Sequence, residues 1–236
     1  MKKIITSILF MILLVGLISE AFLVSAVPTD KDSLDKITFI HYKDGKVKAI
    51  DHNAKDGTSS CYKLIGVKWH TTPTYMINPA NSQGLIEDFI TSAISTSAET
   101  WDSATSKELF NNQYITNYAA QYGIQNYQNA IVFGDYPNDN VIAVTSVWFT
   151  RVGKRIVEFD MLFNTRFNWG DATINSGLMD LQNIATHELG HSVGLADIYS
   201  TSCSAVTMYG YSWNGDTSKR DLEQPDIRGL QTLYGA

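Results

Sequence analysis

The segment around His187 constrains this chain more than any other stretch. It reads Ile184-Ala-Thr-His-Glu-Leu-Gly-His-Ser-Val-Gly-Leu-Ala-Asp197. On an α-helix, His187 and His191 lie one turn apart and project from the same face, so their ring nitrogens can converge on one metal ion. Glu188 lies beside them, where a carboxylate can hold a metal-bound water without being a ligand. The alternative is an ordinary amphipathic helix whose histidines find chance partners.

The residues after the second histidine favour the metal site. Gly194 stands where a residue with positive φ can end a helix and turn the chain back. Such a turn would bring Asp197 towards the two imidazoles. Two imidazoles and one carboxylate leave the fourth tetrahedral position open for water, as in a catalytic zinc site. The sequence therefore predicts one catalytic Zn²⁺ held by His187, His191 and Asp197.

Residues 1–26 have the pattern of a secretion signal. Lys2 and Lys3 precede the apolar run 4–18, and Val24-Ser25-Ala26 offers small residues to signal peptidase. A retained membrane anchor is the alternative, because the run is long enough to allow one. We expect cleavage after Ala26 and a secreted, extracellular protein with no membrane segment.

The composition fits one globular domain. The chain has 236 residues, of which 44% are hydrophobic, enough for a full core. Its formal net charge is −6 and it has no basic cluster, so nucleic acid is not an expected partner. We expect a monomer.

The chain has two cysteines, Cys61 and Cys203. Outside the cell, an even pair is most simply a disulfide. The alternative is that Cys61 is a thiolate that blocks the zinc until its segment is removed. Nothing around Cys61 resembles a dedicated inhibitory loop, so the disulfide is favoured.

Residues 27–60 are polar and turn-rich, and we interpret them as an N-terminal extension or a short pro-segment. The alternating stretches 37–40 and 47–50 are joined through Asp44-Gly45, which predicts a hairpin. The sequence favours lone surface histidines for His41 and His52.

Residues 61–236 form the predicted catalytic domain. Apolar patterns predict strands over 64–77, 130–133, 141–150 and 155–164. A long helix with one apolar face follows a predicted N-cap at Asn81-Ser82 and ends near Trp101. A second helix begins near Leu178 and carries the metal ligands, and a short third helix covers 224–234.

A turn at 134–140 is rich in oxygen-bearing side chains. Calcium needs six or more oxygen ligands, and the spacing matches no standard calcium loop, so Asx turns are favoured. Bound Ca²⁺ is the alternative prediction for this turn.

Together these motifs resemble the metzincin zinc endopeptidases, and the flanking segments are most similar to the matrixin branch. The similarity runs from about Val67 to Gly235 and includes a methionine turn at Met208. It implies an α+β, metzincin-like (zincin) domain: a twisted, mixed five-stranded sheet, two long helices, and a small irregular lower subdomain with a C-terminal helix. It also implies that Met208 lies beneath the zinc as a support and is not a ligand.

Three features depart from the matrixin pattern. The third ligand is Asp197 where matrixins have histidine, as in the snapalysin-like metzincins. An anionic ligand should make the water of the zinc centre less acidic. No histidine lies between His70 and His187, so the second, structural zinc of matrixins has no ligands here. The cysteine-switch sequence of matrixin pro-segments is also absent.

The resemblance implies a zinc-dependent endopeptidase that binds a polypeptide as an extended strand. The substrate would lie along the upper sheet edge, at about 157–162, through main-chain hydrogen bonds. Zinc would polarise a water and the scissile carbonyl, while Glu188, as general base, moves the water's proton to the leaving amine. Asn183 would lie near the floor of the pocket beside the zinc, with Tyr209 and Tyr211 in its wall.

Two other functions are compatible with the same ligands. One is a secreted binding or adhesion module that keeps a metzincin scaffold with zinc as a structural staple, because fold alone does not imply activity. The other is a hydrolase that acts on something other than a peptide. An intact general base beside an open metal position favours an enzyme over the binding module.

Overall fold

A computed structural model of the chain describes residues 33–43 and 61–236, which belong to one structural unit. The predicted signal peptide, the second half of the predicted hairpin and His52 lie outside these ranges. Among the residues that are described, none of the helices has the length and apolar character needed to cross a membrane.

A mixed β-sheet forms one layer of the fold. Over the described residues it contains seven strands in the order β3-β2-β4-β6-β5-β1-β9. The strands are β1 (Leu34–Lys43), β2 (Tyr75–Asn78), β3 (Ile115–Thr116), β4 (Asn129–Gly134), β5 (Val141–Thr150), β6 (Ile156–Asn164) and β9 (Tyr211–Ser212). A separate short pair consists of β7 (Trp169–Gly170) and β8 (Met179–Asp180). The run from β3 to β5 is the mixed five-stranded sheet that the matrixin resemblance implies, and β1 and β9 extend it beyond β5.

Three α-helices complete the α+β architecture, which confirms the predicted fold class. They are α1 (Glu87–Asp102), α2 (Leu181–Ser192) and α3 (Gln224–Tyr234). Two single turns of 3₁₀-helix cover Thr201–Cys203 and Ser218–Arg220. Helices α1 and α2 are joined by a buried hydrogen bond in which Trp101 Nε1 donates to the carbonyl of Thr186 at 2.8 Å.

One apolar core lies between the sheet and helices α1 and α2. Ile94 of α1, Phe159 of β6 and Leu189 of α2 are buried members of this cluster. Burying a side chain of this size contributes about 1.5–3 kcal/mol, so the core fixes α2 against the sheet.

Two predicted boundaries in the first part of the domain are wrong. Helix α1 begins after Ile86, without a side-chain cap. The side chain of Asn81 instead accepts the backbone N–H groups of Gln83 and Leu85, which makes a turn. In place of the predicted strand 64–77, the structure has only the short strand β2 at Tyr75–Asn78. Leu64 and Lys68 form isolated bridges and no continuous strand.

The sheet edge predicted for substrate, 157–162, is not an edge. These residues lie in β6, which pairs with β4 on one side and with β5 on the other. Strand β5 is therefore the outer strand of the predicted five-stranded sheet. Its outer side pairs with β1 in antiparallel register from Leu34↔Thr150 to Tyr42↔Val141. The first half of the predicted hairpin is thus a strand, but its partner is β5.

The turn at 134–140 is held by an ion-pair cluster. Arg166 Nε donates to Asp135 at 2.7 Å, and its Nη1 donates to Asp139 at 2.8 Å. A guanidinium therefore already engages both carboxylates, and calcium binding at this turn stays a prediction.

A disulfide joins Cys61 to Cys203, with a Cα–Cα distance of 5.5 Å, as the sequence predicts. It ties the start of the predicted catalytic domain to the loop between Asp197 and Met208. Cys61 is therefore not a free thiolate.

Candidate active site

Helix α2, which carries the predicted metal ligands His187 and His191, is anchored at its first turn. Asp180, the N-cap, accepts the backbone N–H of Asn183 at 2.8 Å, which satisfies one of the free amides of the first turn. Arg220 Nε donates to the same carboxylate at 2.8 Å. The sequence predicts the helix, but not this link to the loop at Ser218–Arg220.

Helix α2 ends just before Gly194, as the sequence predicts. Gly194 has φ +105°, and a Cβ at this position would lie 2.5 Å from the carbonyl oxygen of Val67. Both the conformation and the close approach require glycine. The chain then turns back, with Leu195 N donating to the carbonyl of Gly190 at 3.0 Å. This turn delivers Asp197 to the histidines.

Three buried ligand atoms converge. The Nε2 atoms of His187 and His191 lie 3.2 and 3.4 Å from Asp197 Oδ1. All three atoms are buried and none has a hydrogen-bond partner. Unpartnered buried polar atoms are costly, and a cation bound between these three atoms would satisfy them all. The residues present therefore fit the zinc that the motif implies.

The outer nitrogens of the two rings are fixed by the backbone. His187 Nδ1 lies 2.7 Å from the carbonyl oxygen of Thr207, and His191 Nδ1 lies 2.9 Å from that of Leu195. A carbonyl can only accept, so each Nδ1 carries the proton and each Nε2 keeps its lone pair for a metal. This is the usual arrangement around metal-binding histidines.

The charges of the cluster suit a divalent cation. Burial, together with the nearby charge of Lys219, lowers the pKa of His187 to about 3, so this ring is neutral. Burial alone would raise the pKa of Asp197, but the close approach of the His191 and His187 rings holds it well below its usual range. The hydroxyl of Tyr199 donates to Asp197 Oδ2 at 3.0 Å and so leaves Oδ1 for the metal.

Glu188 is fully buried beside the cluster. Burial is the main cause that raises its pKa to about 7. Thr145 Oγ1 donates to Oε2 at 2.5 Å, and His41 Nδ1 lies 3.1 Å from Oε1. A carboxylate that gains and loses a proton near neutral pH is suited to general acid–base chemistry.

Behind the ligands, α2 packs closely against the methionine turn. Met208 is fully buried, and its backbone N–H donates to Asp226 Oδ1 at 3.2 Å. A Cβ on Gly190 would overlap Met208 Sδ and lie 2.7 Å from Trp101 Cζ2. The glycine inside the motif therefore allows the methionine to approach the helix.

The predicted pocket residues lie together. Asn183 is fully buried, and its Oδ1 accepts the backbone N–H of Lys219 at 2.6 Å. Lys219 Nζ in turn donates to the carbonyl of Tyr209. The rings of Tyr209 and Tyr211 meet edge to face with centroids 5.6 Å apart. Asn183 thus contacts the predicted wall through Lys219, and its role as pocket floor stays a prediction.

The interpretation of His41 as a lone surface histidine is wrong. Its side chain is fully buried, next to Glu188. The alternation of Ile37, Phe39 and His41 carried a signal, because alternate residues of a strand share one face. Nothing in the sequence indicated that this face would meet the metal site.

Three other residues of the site were also missed, since each reaches it through tertiary contacts. They are Thr145, Tyr199 and Lys219.

Comparison with known proteins agrees with this geometry. The family model described as matrixin, a peptidase family, matches residues 68–235. The chain is 51% identical to human (Homo sapiens) matrilysin over 51 residues, which is 22% of this chain and 18% of the relative. It is 43% identical to bovine (Bos taurus) interstitial collagenase over 56 residues, 24% of this chain and 11% of the relative.

Human neutrophil collagenase is 36% identical over 76 residues, 32% of this chain and 15% of the relative. The chain thus aligns with less than a fifth of the length of these relatives. The family match covers most of the chain, including all three α-helices and the segment from His187 to Asp197. The chain belongs to the matrixin family, whose members are zinc-dependent.

Proposed function

We propose that this chain is a secreted zinc-dependent endopeptidase. The observation that carries the proposal is the convergence of three buried, unpartnered ligand atoms, from His187, His191 and Asp197, beside the carboxylate of Glu188. The three residues would hold zinc, which when bound supplies a Lewis acid for water and for a peptide carbonyl. The aspartate as third ligand is part of this proposal.

Glu188 is the proposed general base. Its Oε1 would take the proton of the attacking water and later give it to the leaving amine. The hydrogen bond from Thr145 holds Oε2 and so turns Oε1 towards the reacting groups. A buried carboxylate whose pKa lies near 7 can perform both transfers. No covalent intermediate with the protein is required.

The substrate is proposed to be a polypeptide that adds to the sheet as an extended strand. Strand β5 offers the main-chain groups for this pairing, and Thr145 on β5 touches Glu188. Peptides recognised in this way gain affinity from backbone hydrogen bonds and specificity from pockets for alternate side chains. Asn183, Tyr209 and Tyr211 are the proposed pocket residues, and Met208 is the proposed support beneath the zinc.

The domain organisation is proposed to be a signal peptide at 1–26, an N-terminal extension or pro-segment at 27–60 and a peptidase domain at 61–236. The disulfide between Cys61 and Cys203 is consistent with an extracellular protein. The active form is proposed to be a monomer.

A comparison of wild type with Glu188→Ala tests this proposal. Secreted protein would be assayed on a denatured protein before and after limited proteolysis, with the added protease then inhibited, and zinc would be measured in parallel. We expect chelator-sensitive hydrolysis by the wild type that falls by about 10²–10⁴-fold in Glu188→Ala, the range for loss of a general base. Zinc content should stay the same.

The matched control is Glu108→Ala, which removes an exposed glutamate distant from the cluster. It should leave hydrolysis unchanged. Equal rates in wild type and Glu188→Ala, with zinc bound in both, would support the binding module instead.

A further inference from the structure

Strand β1 lies where the proposed substrate would lie. Its main chain pairs with β5 over nine residues, from Leu34 to Tyr42. Among the described strands, β1 alone covers this side of β5. A peptide that adds to β5 must therefore first displace β1.

The face of β1 that meets α2 covers the metal-binding rings. Phe39 stacks on His191 with ring centroids 4.0 Å apart and planes 5° from parallel. His41 lies over His187 with centroids 3.9 Å apart. Two residues that alternate along one strand thus cap two ligands that lie one turn apart on the helix. The rings of His41, His187 and His191 are buried beneath this strand, and Phe39 is partly buried.

His41 also bridges a base and a cation. Lys219 Nζ donates to His41 Nε2 at 3.2 Å, and an ammonium can only donate. The ring proton of the neutral imidazole therefore lies on Nδ1, which donates to Glu188 Oε1 at 3.1 Å. With Thr145 on Oε2, both oxygens of Glu188 are occupied by the protein. The oxygen that would face the attacking water, Oε1, is thus engaged by His41.

Lys219 is a buried lysine whose ammonium group contacts His41. It is fully buried, and its ammonium donates to the carbonyl of Tyr209 and to His41. Burial lowers the pKa of Lys219 to about 8, although the carboxylates of Asp216, Asp197 and Glu188 favour its charged form. Lys219 is thus a fixed donor in the wall of the cleft, aimed at the side chain that occupies it.

We propose that strand β1 is a built-in occupant of the substrate cleft, which His41 holds closed by bridging Glu188 and Lys219. The inference rests on the proposed function, because it assigns regulation of the same site. The chain would be inactive with β1 in place, and Lys219 would hold a hydrogen-bond acceptor on whatever side chain takes the position of His41.

Binding of a labelled peptide to the full chain tests the proposal without an activity assay. The probe is a synthetic peptide with the sequence of residues 34–43, followed by fluorescence anisotropy on zinc-loaded protein. In the wild type, β1 competes for β5 from within the same chain, which gives it a high effective concentration. His41→Ala removes hydrogen bonds to two charged groups, so the peptide should bind at least about tenfold more tightly. Zinc transfer to a chromophoric chelator should quicken by a similar factor.

Two further variants separate the bridge from general loss of packing. Thr38→Ala is the matched control, because Thr38 lies on the other face of β1 and contacts Ser146 rather than α2. It should behave as the wild type. His41→Gln keeps one donor for Glu188 and one acceptor for Lys219, so it should restore slow zinc transfer and weak peptide binding.

The outcomes distinguish this inference from the proposed function. Equal peptide binding and zinc transfer in wild type and His41→Ala would overturn the inference, even if the processed protein hydrolyses peptides. A His41→Gln protein that behaves like His41→Ala would overturn the bridge. If peptide binding changes as expected but no form of the chain hydrolyses a peptide bond, β1 remains the occupant of the cleft and the endopeptidase proposal fails.

Discussion

Single side chains around the metal cluster determine how well the chain can hold zinc. Tyr199 is one that the sequence did not reveal. Its hydroxyl donates to Asp197 Oδ2, while Oδ1 points to the two imidazoles. A hydrogen bond of this kind orients a metal ligand, and its loss commonly weakens metal binding.

We therefore expect Tyr199→Phe to weaken zinc binding by about 10–100-fold, the range for loss of such a partner. Competition with a chromophoric chelator at fixed pH would measure this change. Tyr118→Phe is the matched control, because it removes a tyrosine hydroxyl that bonds Glu87 on the surface. Unchanged affinity in Tyr199→Phe would show that Asp197 does not need this orientation, or does not bind the metal.

The sequence could predict some residues of this site but not others. The spacing of His187, Glu188 and His191 predicts the cluster, because helix geometry is local. Gly194 and Asp197 could also be predicted, because a single glycine can end the helix and turn the chain back towards the histidines. Thr145 and His41 come from strands far away in sequence, and their contacts with Glu188 depend on how the sheet is ordered. No local pattern contains that information.

At the scale of the elements, the contact between α2 and the methionine turn is tight. Replacing Gly190 by alanine has two effects of opposite sign on the free energy of unfolding. Glycine inside a helix costs about 1 kcal/mol relative to alanine, which would make Gly190→Ala stabilising. Overpacking of a filled core costs about 1–3 kcal/mol, and here the added methyl would meet the ring of Trp101 as well as Met208.

We expect the overpacking to win, because the Trp101 ring is held by its hydrogen bond to the backbone of α2. Gly190→Ala should lower the free energy of unfolding by about 1–2 kcal/mol. Urea unfolding of the zinc-loaded protein would measure it. In a Met208→Ala background, which makes room for the methyl group, Gly190→Ala should cost less than it does in the wild type. A Gly190→Ala protein more stable than wild type would contradict this account of the contact.

Element types and many bounds were predictable, but strand order was not. Strand β5 and helix α3 have the predicted bounds, since their apolar patterns are continuous and their ends carry turn residues. Which strand of the β5–β6 pair lies outside depends on the choice of partner by β4. Both strands are almost fully buried, so burial patterns could not separate them. The wrong prediction of the substrate edge follows from this ambiguity.

At the scale of the whole molecule, one buried carboxylate should make stability depend on pH. Burial raises the pKa of Asp160 to about 7, although backbone N–H groups such as that of Gly123 oppose the shift. The native state therefore keeps a proton that the unfolded chain releases near the ordinary aspartate pKa of 3.8. Stability from this group is complete below about pH 4 and is lost as the pH rises through about 7.

The measurement is the difference in the free energy of unfolding between wild type and Asp160→Asn as a function of pH. The difference removes contributions common to both proteins, including pH-dependent zinc binding. Between pH 4 and 7, the wild type should lose at most about 4 kcal/mol of unfolding free energy relative to Asp160→Asn. The figure follows because a pKa shift of one unit corresponds to about 1.4 kcal/mol. A flat difference would show that the Asp160 carboxyl has its ordinary pKa in the folded chain.

The disulfide should stabilise the molecule by restricting the unfolded chain. Its cysteines lie 142 residues apart in sequence, and closing so long a loop contributes about 2–5 kcal/mol. A double variant, Cys61→Ser with Cys203→Ser, should therefore unfold at a clearly lower urea concentration than the oxidised wild type. Reduced wild type is the matched control and should resemble the double variant. Equal midpoints in all three would contradict a stabilising role.

The pairing of β1 with β9 links the occupant of the cleft to the pocket. Tyr211, in the proposed pocket wall, joins the sheet only where it lies beside Tyr42 of β1, within the described strands. Release of β1 removes that neighbour, so the wall is free to reshape around an arriving peptide. A small molecule fitted to the present shape of the wall would therefore select the form of the chain in which β1 is in place. A screen for molecules that bind the open cleft requires a protein from which β1 has been removed.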